Sequence, residues 1–148
     1  MQVFIGADHN GFDMKAFLAD ALARQGINVH DEGDAQLKPE DDFPQFAAKT
    51  VQALLASGDQ DARGILICGS GQGMCIAANR FKGIRASLVW NEHEAIAARN
   101  DDDSNVLCLP ARSMSNDEAL RVAQVWLNTA FAGAARFRRR IAELDQLT

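Results

Sequence analysis

The run Gly64-Ile65-Leu66-Ile67-Cys68 passes without a break into Gly69-Ser70-Gly71-Gln72-Gly73 and then into a helical pattern through Asn79. A continuous apolar run with no polar alternation suits a strand buried on both faces, and such strands belong to parallel sheets covered by helices. A glycine-rich turn where strand becomes helix is also where backbone N–H groups converge near the positive end of a helix dipole. This one stretch predicts an α/β fold with an anion or oxyanion cradle at the carboxyl edge of its sheet. A tight turn that binds nothing is the alternative, but three glycines in five residues exceed what such a turn needs. The spacing is GxGxG rather than the GxGxxG dinucleotide fingerprint, and no GK[ST] follows, which argues against both kinds of nucleotide loop.

The rest of the chain repeats the strand-then-helix rhythm. Val3 to Ala7 reads as a first buried strand, and the helix from Met14 to Gln25 puts Phe17, Leu18, Ala21 and Leu22 on one face. Asn28 to His30 is a short second strand. A polar loop from Asp31 to Asp42 follows, then a helix from Pro44 to about Ser57. Ile84 to Val89 and Asn105 to Leu109 supply the fourth and fifth strands. Asn91 with Glu94, and Ser115 with Glu118, are helix-start capping pairs, the second opening a helix to about Ala130. A last, arginine-rich helix runs from Ala134 to about Leu144. Five strands, each followed by a helix, predict a three-layer Rossmann-like fold. A five-stranded parallel sheet carries helices on both faces, in a single domain over 1–148. Ligands in such sheets bind beyond the strand carboxyl ends, here the loops after Ala7, Cys68, Val89 and Leu109.

Composition narrows the partners. Fifteen Lys and Arg against twenty Asp and Glu give a net charge of −5, which argues against nucleic acid, since phosphate backbones need a basic face. No apolar stretch approaches the roughly 20 residues of a membrane span, and Met1-Gln2-Val3-Phe4 enters a strand with no basic segment before it. A cytoplasmic protein without membrane contact is expected. A chain of 148 residues can bury roughly 70% of its unfolded surface, so it needs no disulfide or metal, and three cysteines read as reduced thiols. There is no tyrosine, which removes phenol chemistry.

Cys68 immediately precedes the glycine turn, where a helix N-terminus favours the thiolate needed by a general base. From position alone it is equally a small apolar residue closing a strand. Cys75 and Cys108 fall within a helix and a strand and read as core. Asp8-His9-Asn10-Gly11 brings a carboxylate and an imidazole to a second loop at the same edge, suited to sugar hydroxyls and an anionic group, or else to capping the first helix. His30 and His93 read as surface residues, and no histidine shows metal-ligand spacing. Arg136 and Arg140, within the run Arg136, Arg138, Arg139, Arg140, share a helical face that could grip a phosphate or simply face solvent. Arg112 follows strand 5, and Asp101-Asp102-Asp103 before it reads as a solvated acidic loop.

Taken in order, GADHNGF, ILICGSGQGMCIAANRFKGIRA, NDDDSNVL, LPARS and GAARFRRR resemble the ribose-5-phosphate isomerase B and galactose-6-phosphate isomerase family over nearly the whole chain. The resemblance implies an aldose-ketose isomerase of a phosphorylated sugar, most simply ribose 5-phosphate to ribulose 5-phosphate. No metal or cofactor takes part, and the reaction passes through an enediolate. It implies Cys68 as the base and Ser70 in an oxyanion loop with Gly69, Gly71, Gln72 and Gly73. Asp8 would contact the sugar, and His9, Arg112, Arg136 and Arg140 the phosphate. It also implies a homodimer, with a tetramer as the alternative, the site assembled across the dimer interface and the C-terminal helix exchanged against the partner.

The sequence departs from the family in three places. Where members have His-Asn before strand 5, this chain has Asp101 and Asp102, so Asp101 stands at the ring-opening histidine. A carboxylate is a poor acid near neutrality unless its pKa is raised, and a missing acid/base group typically costs about 10² to 10⁴ in rate. Phe43 and Phe46 occupy a segment where the family often has tyrosine. Met74 is not a further departure: members that carry serine at the Cys68 position use a glutamate six residues on, and Met74 there leaves Cys68 as the only candidate base of the two. The changes at Asp101 and Asp102 leave room for a hexose or already open-chain sugar phosphate as substrate, or for a binding protein without catalysis.

Overall fold

The computed structural model describes residues 1–147. Five parallel strands, β1 (Gln2–Ala7), β2 (Asn28–Asp31), β3 (Arg63–Cys68), β4 (Ala86–Leu88) and β5 (Val106–Pro110), form one sheet in the order β2-β1-β3-β5-β4. Helices α1 (Phe12–Arg24), α2 (Phe43–Ala56), α3 (Gln72–Ala78), α4 (Glu92–Asn100), α5 (Asn116–Asn128) and α6 (Ala135–Asp145) follow in turn. Alternation along the strands divides the core in two. Val3, Ile5, Ile65, Ile67, Leu107 and Leu109 face α1, α4 and α5. Phe4, Leu66, Cys68, Val106 and Cys108 face α2 and α3. The three-layer α/β fold expected from the sequence is therefore present.

The chain leaves β1 toward one face through α1 and returns to β3 through α2 on the other. The strand order reverses between β1 and β3, the kind of place where ligands bind beyond the strand ends in such sheets. Packing is close there. A Cβ at Gly6 would fall 2.1 Å from Thr50 Oγ1 of α2, and one at Gly11 would fall 2.6 Å from the Ile67 carbonyl oxygen. The capping pairs form as read. Asn91 Oδ1 accepts from Glu94 N at 2.8 Å, and Ser115 and Glu118 cap each other reciprocally.

Two element starts move by two residues. A single 3-10 turn, His9–Gly11, leads directly into α1, which starts at Phe12 rather than Met14. The fourth strand shrinks to Ala86–Leu88, because side chains take the backbone groups that a longer ladder would use. Asn105 Oδ1 accepts from Arg85 N at 2.8 Å, and Asn79 Oδ1 from Ala86 N at 2.9 Å.

Helix α6 differs from the other five. Phe137 is its one buried residue among those described, and Leu144 is 49% exposed. Leu144 and Leu147 line one wall of an open cleft whose other wall includes Phe81 and Ile84. Among the described residues no helix is long and apolar enough to cross a membrane.

Candidate active site

Three loops meet at the carboxyl edge of the sheet, and backbone hydrogen bonds hold them together. Asp8 N donates to Ile67 O at 3.3 Å, Ala111 N to Cys68 O at 2.9 Å, and Arg112 N to Gly69 O at 2.9 Å. Ala7 pairs with Ile67 and Cys68 with Pro110, so Asp8, Cys68 and Arg112 stand at the ends of adjacent strands about 4.8 Å apart. Among the residues expected in a site, Asp8, His9, Cys68, the Gly69–Gly73 turn and Arg112 are brought together.

The turn owes its shape to its glycines. Gly71 adopts φ 74° as the N-cap of α3, and a Cβ there would meet Leu88 Cδ1 at 2.4 Å. Arg112 lies over Gly69, where a Cβ would be 2.8 Å from its guanidinium carbon, and the Phe43 ring lies equally close over Gly73. Ser70 and Gln72 are exposed at the rim, with Gln72 N 3.4 Å from Ser70 Oγ. N–H groups this early in α3 have no helical carbonyl to receive them. Cys68 is buried, 5% exposed, against the α2 and α3 layer.

Asp8 serves the fold and stays available. Its Oδ1 accepts from Asn10 N at 2.9 Å and Gly11 N at 3.2 Å, capping the 3-10 turn. Both expectations for this residue are thus compatible, since Oδ2 is not used by the cap. His9 has a partner that sequence reading missed. Asp41 Oδ1 lies 2.7 Å from His9 Nδ1 and accepts from His9 N at 3.0 Å. This hydrogen bond, seconded by the charge of Asp8, raises the His9 pKa above its ordinary value, while desolvation and Arg112 oppose the shift. No local signal marks Asp41, which lies 32 residues from His9 in a loop read only as polar. Asp8, His9 and Asp41 could together offer donor atoms to a cation, all within 4.8 Å. In this chain Asp8 Oδ1 is committed to the cap and Asp41 Oδ1 to His9.

Asp101, Arg136 and Arg140 do not join this group. β3 and β5 pair from Gly64–Val106 to Cys68–Pro110, a rise of roughly 13 Å, and Asp101 precedes the start of that ladder while Cys68 ends it. Asp101 Oδ1 accepts from Asn100 Nδ2 at 2.7 Å, and α6 begins close by, where Ala132 N donates to Asn100 O. Arg136 stacks over Phe137 at 4.4 Å, and the charge of Arg140 acts on Asp102. Partial burial first, and then Asp101, push the Asp102 carboxyl above the ordinary range, against Arg140 and Arg85.

The acidic run is not simply solvated. Asp103, at φ 47°, takes Arg99 Nη1 at 2.8 Å and Arg85 Nη2 at 3.1 Å, and Arg99 is buried. A buried guanidinium needs this carboxylate, because an unpaired charge there would cost several kcal/mol, of order 3–5. His93 is exposed as expected, whereas His30 is half-buried and stacks on Phe4 at 4.6 Å. Cys108 is core, but Cys75 is half-buried with its pKa lowered to about 7, chiefly by a hydrogen bond from Cys108. Its Sγ lies 3.3 Å from Ala86 O, toward β4 rather than the glycine turn.

Residues 3–144 match the Ribose/Galactose Isomerase family. The chain belongs to that family. The structure superposes on ribose-5-phosphate isomerase B from Mycoplasma genitalium, solved with ribulose 5-phosphate bound. The TM-score is 0.94 at 36% identity, covering 99% of this chain and 95% of the other. The Thermotoga maritima ribose-5-phosphate isomerase gives a TM-score of 0.92 at 37% identity, covering 98% and 97%. A Mycoplasma pneumoniae protein named "Probable ribose-5-phosphate isomerase B" is 38% identical over 137 residues, 93% of this chain and 89% of its own length. The enzyme class is accordingly that of the aldose-ketose isomerases of type B.

Proposed function

We propose that the chain interconverts ribose 5-phosphate and ribulose 5-phosphate, with Cys68 as the proton-transferring base and no metal in the reaction. Family membership supports the sugar-phosphate substrate, and the M. genitalium enzyme that this structure resembles binds ribulose 5-phosphate. The observation that carries the assignment of the base is the placement of Cys68. It ends β3 directly before the glycine turn, and Asp8 directly follows the neighbouring strand β1.

In the open-chain aldose, Cys68 takes the proton from the carbon next to the carbonyl. The carbonyl oxygen becomes an enediolate oxygen facing Ser70 and the backbone N–H groups of Gly69, Gly71, Gln72 and Gly73. The same proton returns to the neighbouring carbon, and the hydroxyl proton passes between the two oxygens, so the reaction is redox-neutral overall. Asp8 Oδ2 is suited to a sugar hydroxyl, while His9 and Arg112 supply positive charge for the phosphate.

One chain leaves this site half built. Asp101, Arg136 and Arg140 lie at the other end of the sheet, and α6 covers little of its own chain. A homodimer that exchanges α6 and its arginines between subunits would place them over the partner's Cys68 loop. Asp101 would then stand where members of the family open the sugar ring. This favours a second reading in which the substrate is a hexose or an open-chain sugar phosphate.

A panel of pentose and hexose phosphates, assayed for the natural chain and for Asp101→His, decides between the two. Clear preference for ribose 5-phosphate supports the first reading. Preference for a six-carbon substrate supports the second, and saturable binding without turnover on any member contradicts both.

A further inference from the structure

We infer that Asp41 is a positioning residue for phosphate recognition, holding His9 as an imidazolium whose Nε2–H donates to the substrate phosphate. The inference rests on the reading of His9 as a phosphate ligand and goes beyond it by naming what sets its state.

The geometry is specific. One oxygen of Asp41 meets both the backbone N–H of His9, at 3.0 Å, and Nδ1 of its ring, at 2.7 Å. The Asp41 side chain is 6% exposed against 32% for His9, so the carboxylate is the more shielded member of the pair and the ring the more open to solvent. Two bonds from one oxygen to one residue fix both the backbone and the ring orientation. With Nδ1 committed to a carboxylate, a neutral imidazole carries its lone pair on Nε2, which repels a phosphate oxygen; only the imidazolium offers a donor there. Asn10 Nδ2, 3.1 Å from Nε2, fits the neutral form, and a rotated amide fits the charged one.

The groups that face His9 act in both directions. Asp41 and Asp8 favour the cation, whereas Arg112 from the loop after β5 and partial desolvation oppose it, and the balance lies above the ordinary histidine value. Because the folded pKa is raised, the cation persists through the ordinary titration range and is lost as pH rises through the raised value. Asp41 therefore extends phosphate binding to higher pH. Its own charge does not stand against the phosphate, because it is buried and neutralised by the ring.

The test follows the His9 ring by NMR titration in the natural protein and in Asp41→Asn, with His30 and His93 as internal references. It is paired with binding of inorganic phosphate and with KM for ribose 5-phosphate across pH 6 to 9. The amide variant is expected to lower the His9 midpoint and leave His30 and His93 in place. Phosphate affinity should weaken by about tenfold between the old and new midpoints. kcat should change less than about threefold, and Asp41→Asn should add nothing in a His9→Asn background. Asp41→Ser removes the same carboxylate and serves if the amide variant is unstable. An unchanged His9 midpoint overturns the proposal at Asp41 itself. A lowered midpoint with phosphate affinity unaltered in both Asp41→Asn and His9→Asn overturns it through the reading of His9 as a phosphate ligand.

Discussion

The two ends of the sheet are built differently. At the carboxyl edge, the loops bearing Asp8, Cys68 and Arg112 are bonded to one another through the backbone, and Asp41 holds both the backbone and the ring of His9. At the amino edge, Asp101 lies near the start of a helix that buries Phe137 alone, with Arg136 and Arg140 exposed on it. A preorganised edge suits proton transfer, where small misplacements of the base are costly. An arginine-bearing helix with little cover from its own chain suits a group delivered to another subunit. The proposed function divides the two roles accordingly, with the base on one chain and much of the phosphate grip on the next.

The largest effect should come from the preorganised edge. Cys68→Ala is expected to lower kcat by about 10² to 10⁴ while the thermal midpoint stays close to that of the natural chain. Unchanged turnover would remove Cys68 as the base. From the other edge, Arg140→Ala should raise KM for the sugar phosphate by about tenfold or more with a smaller change in kcat, as expected for lost charge-assisted hydrogen bonds. A fall in kcat alone would place Arg140 in the chemistry and blur the division between the two edges.

A smaller change is expected at Asp101. If ring opening limits the reaction, Asp101→His should raise kcat on the cyclic pentose phosphate by up to about tenfold. Part of this barrier is crossed without a catalyst, so the gain is smaller than the loss at Cys68. A gain confined to one sugar in the panel would identify the ring being opened. The smallest effect belongs to Cys75. Its thiol, with pKa about 7, should react with a thiol reagent along a pH profile centred near that value. Cys75→Ser should leave kcat within about twofold, because Cys75 faces Ala86 rather than the glycine turn. Strong loss of activity in Cys75→Ser would show that the carboxyl edge extends further along α3 than the geometry indicates.

The contrast between the edges also explains what could be read from the residues alone. Gly64–Gly73 was legible because its strand, turn and helix start are local in sequence, and the same holds for the Ser115–Glu118 cap. The pairing of Asp41 with His9 was not, because it joins residues 32 apart through a loop with no periodicity. Asp103 looked like one more solvated carboxylate until the fold buried Arg99 beside it. Helix α6 could be read as a helix, but its arginine face has the same pattern whether its own chain or another covers it.

Complementation tests the shared site most directly. Cys68→Ala chains, inactive as bases but with intact arginines, are co-expressed with Arg140→Ala chains, and isomerase activity is measured at a sugar-phosphate concentration where each variant alone is nearly inactive. In a mixed dimer one site holds both natural groups and the other neither, so random pairing should restore roughly a quarter of the natural activity. Activity no greater than the average of the two variants would contradict a site built from two chains.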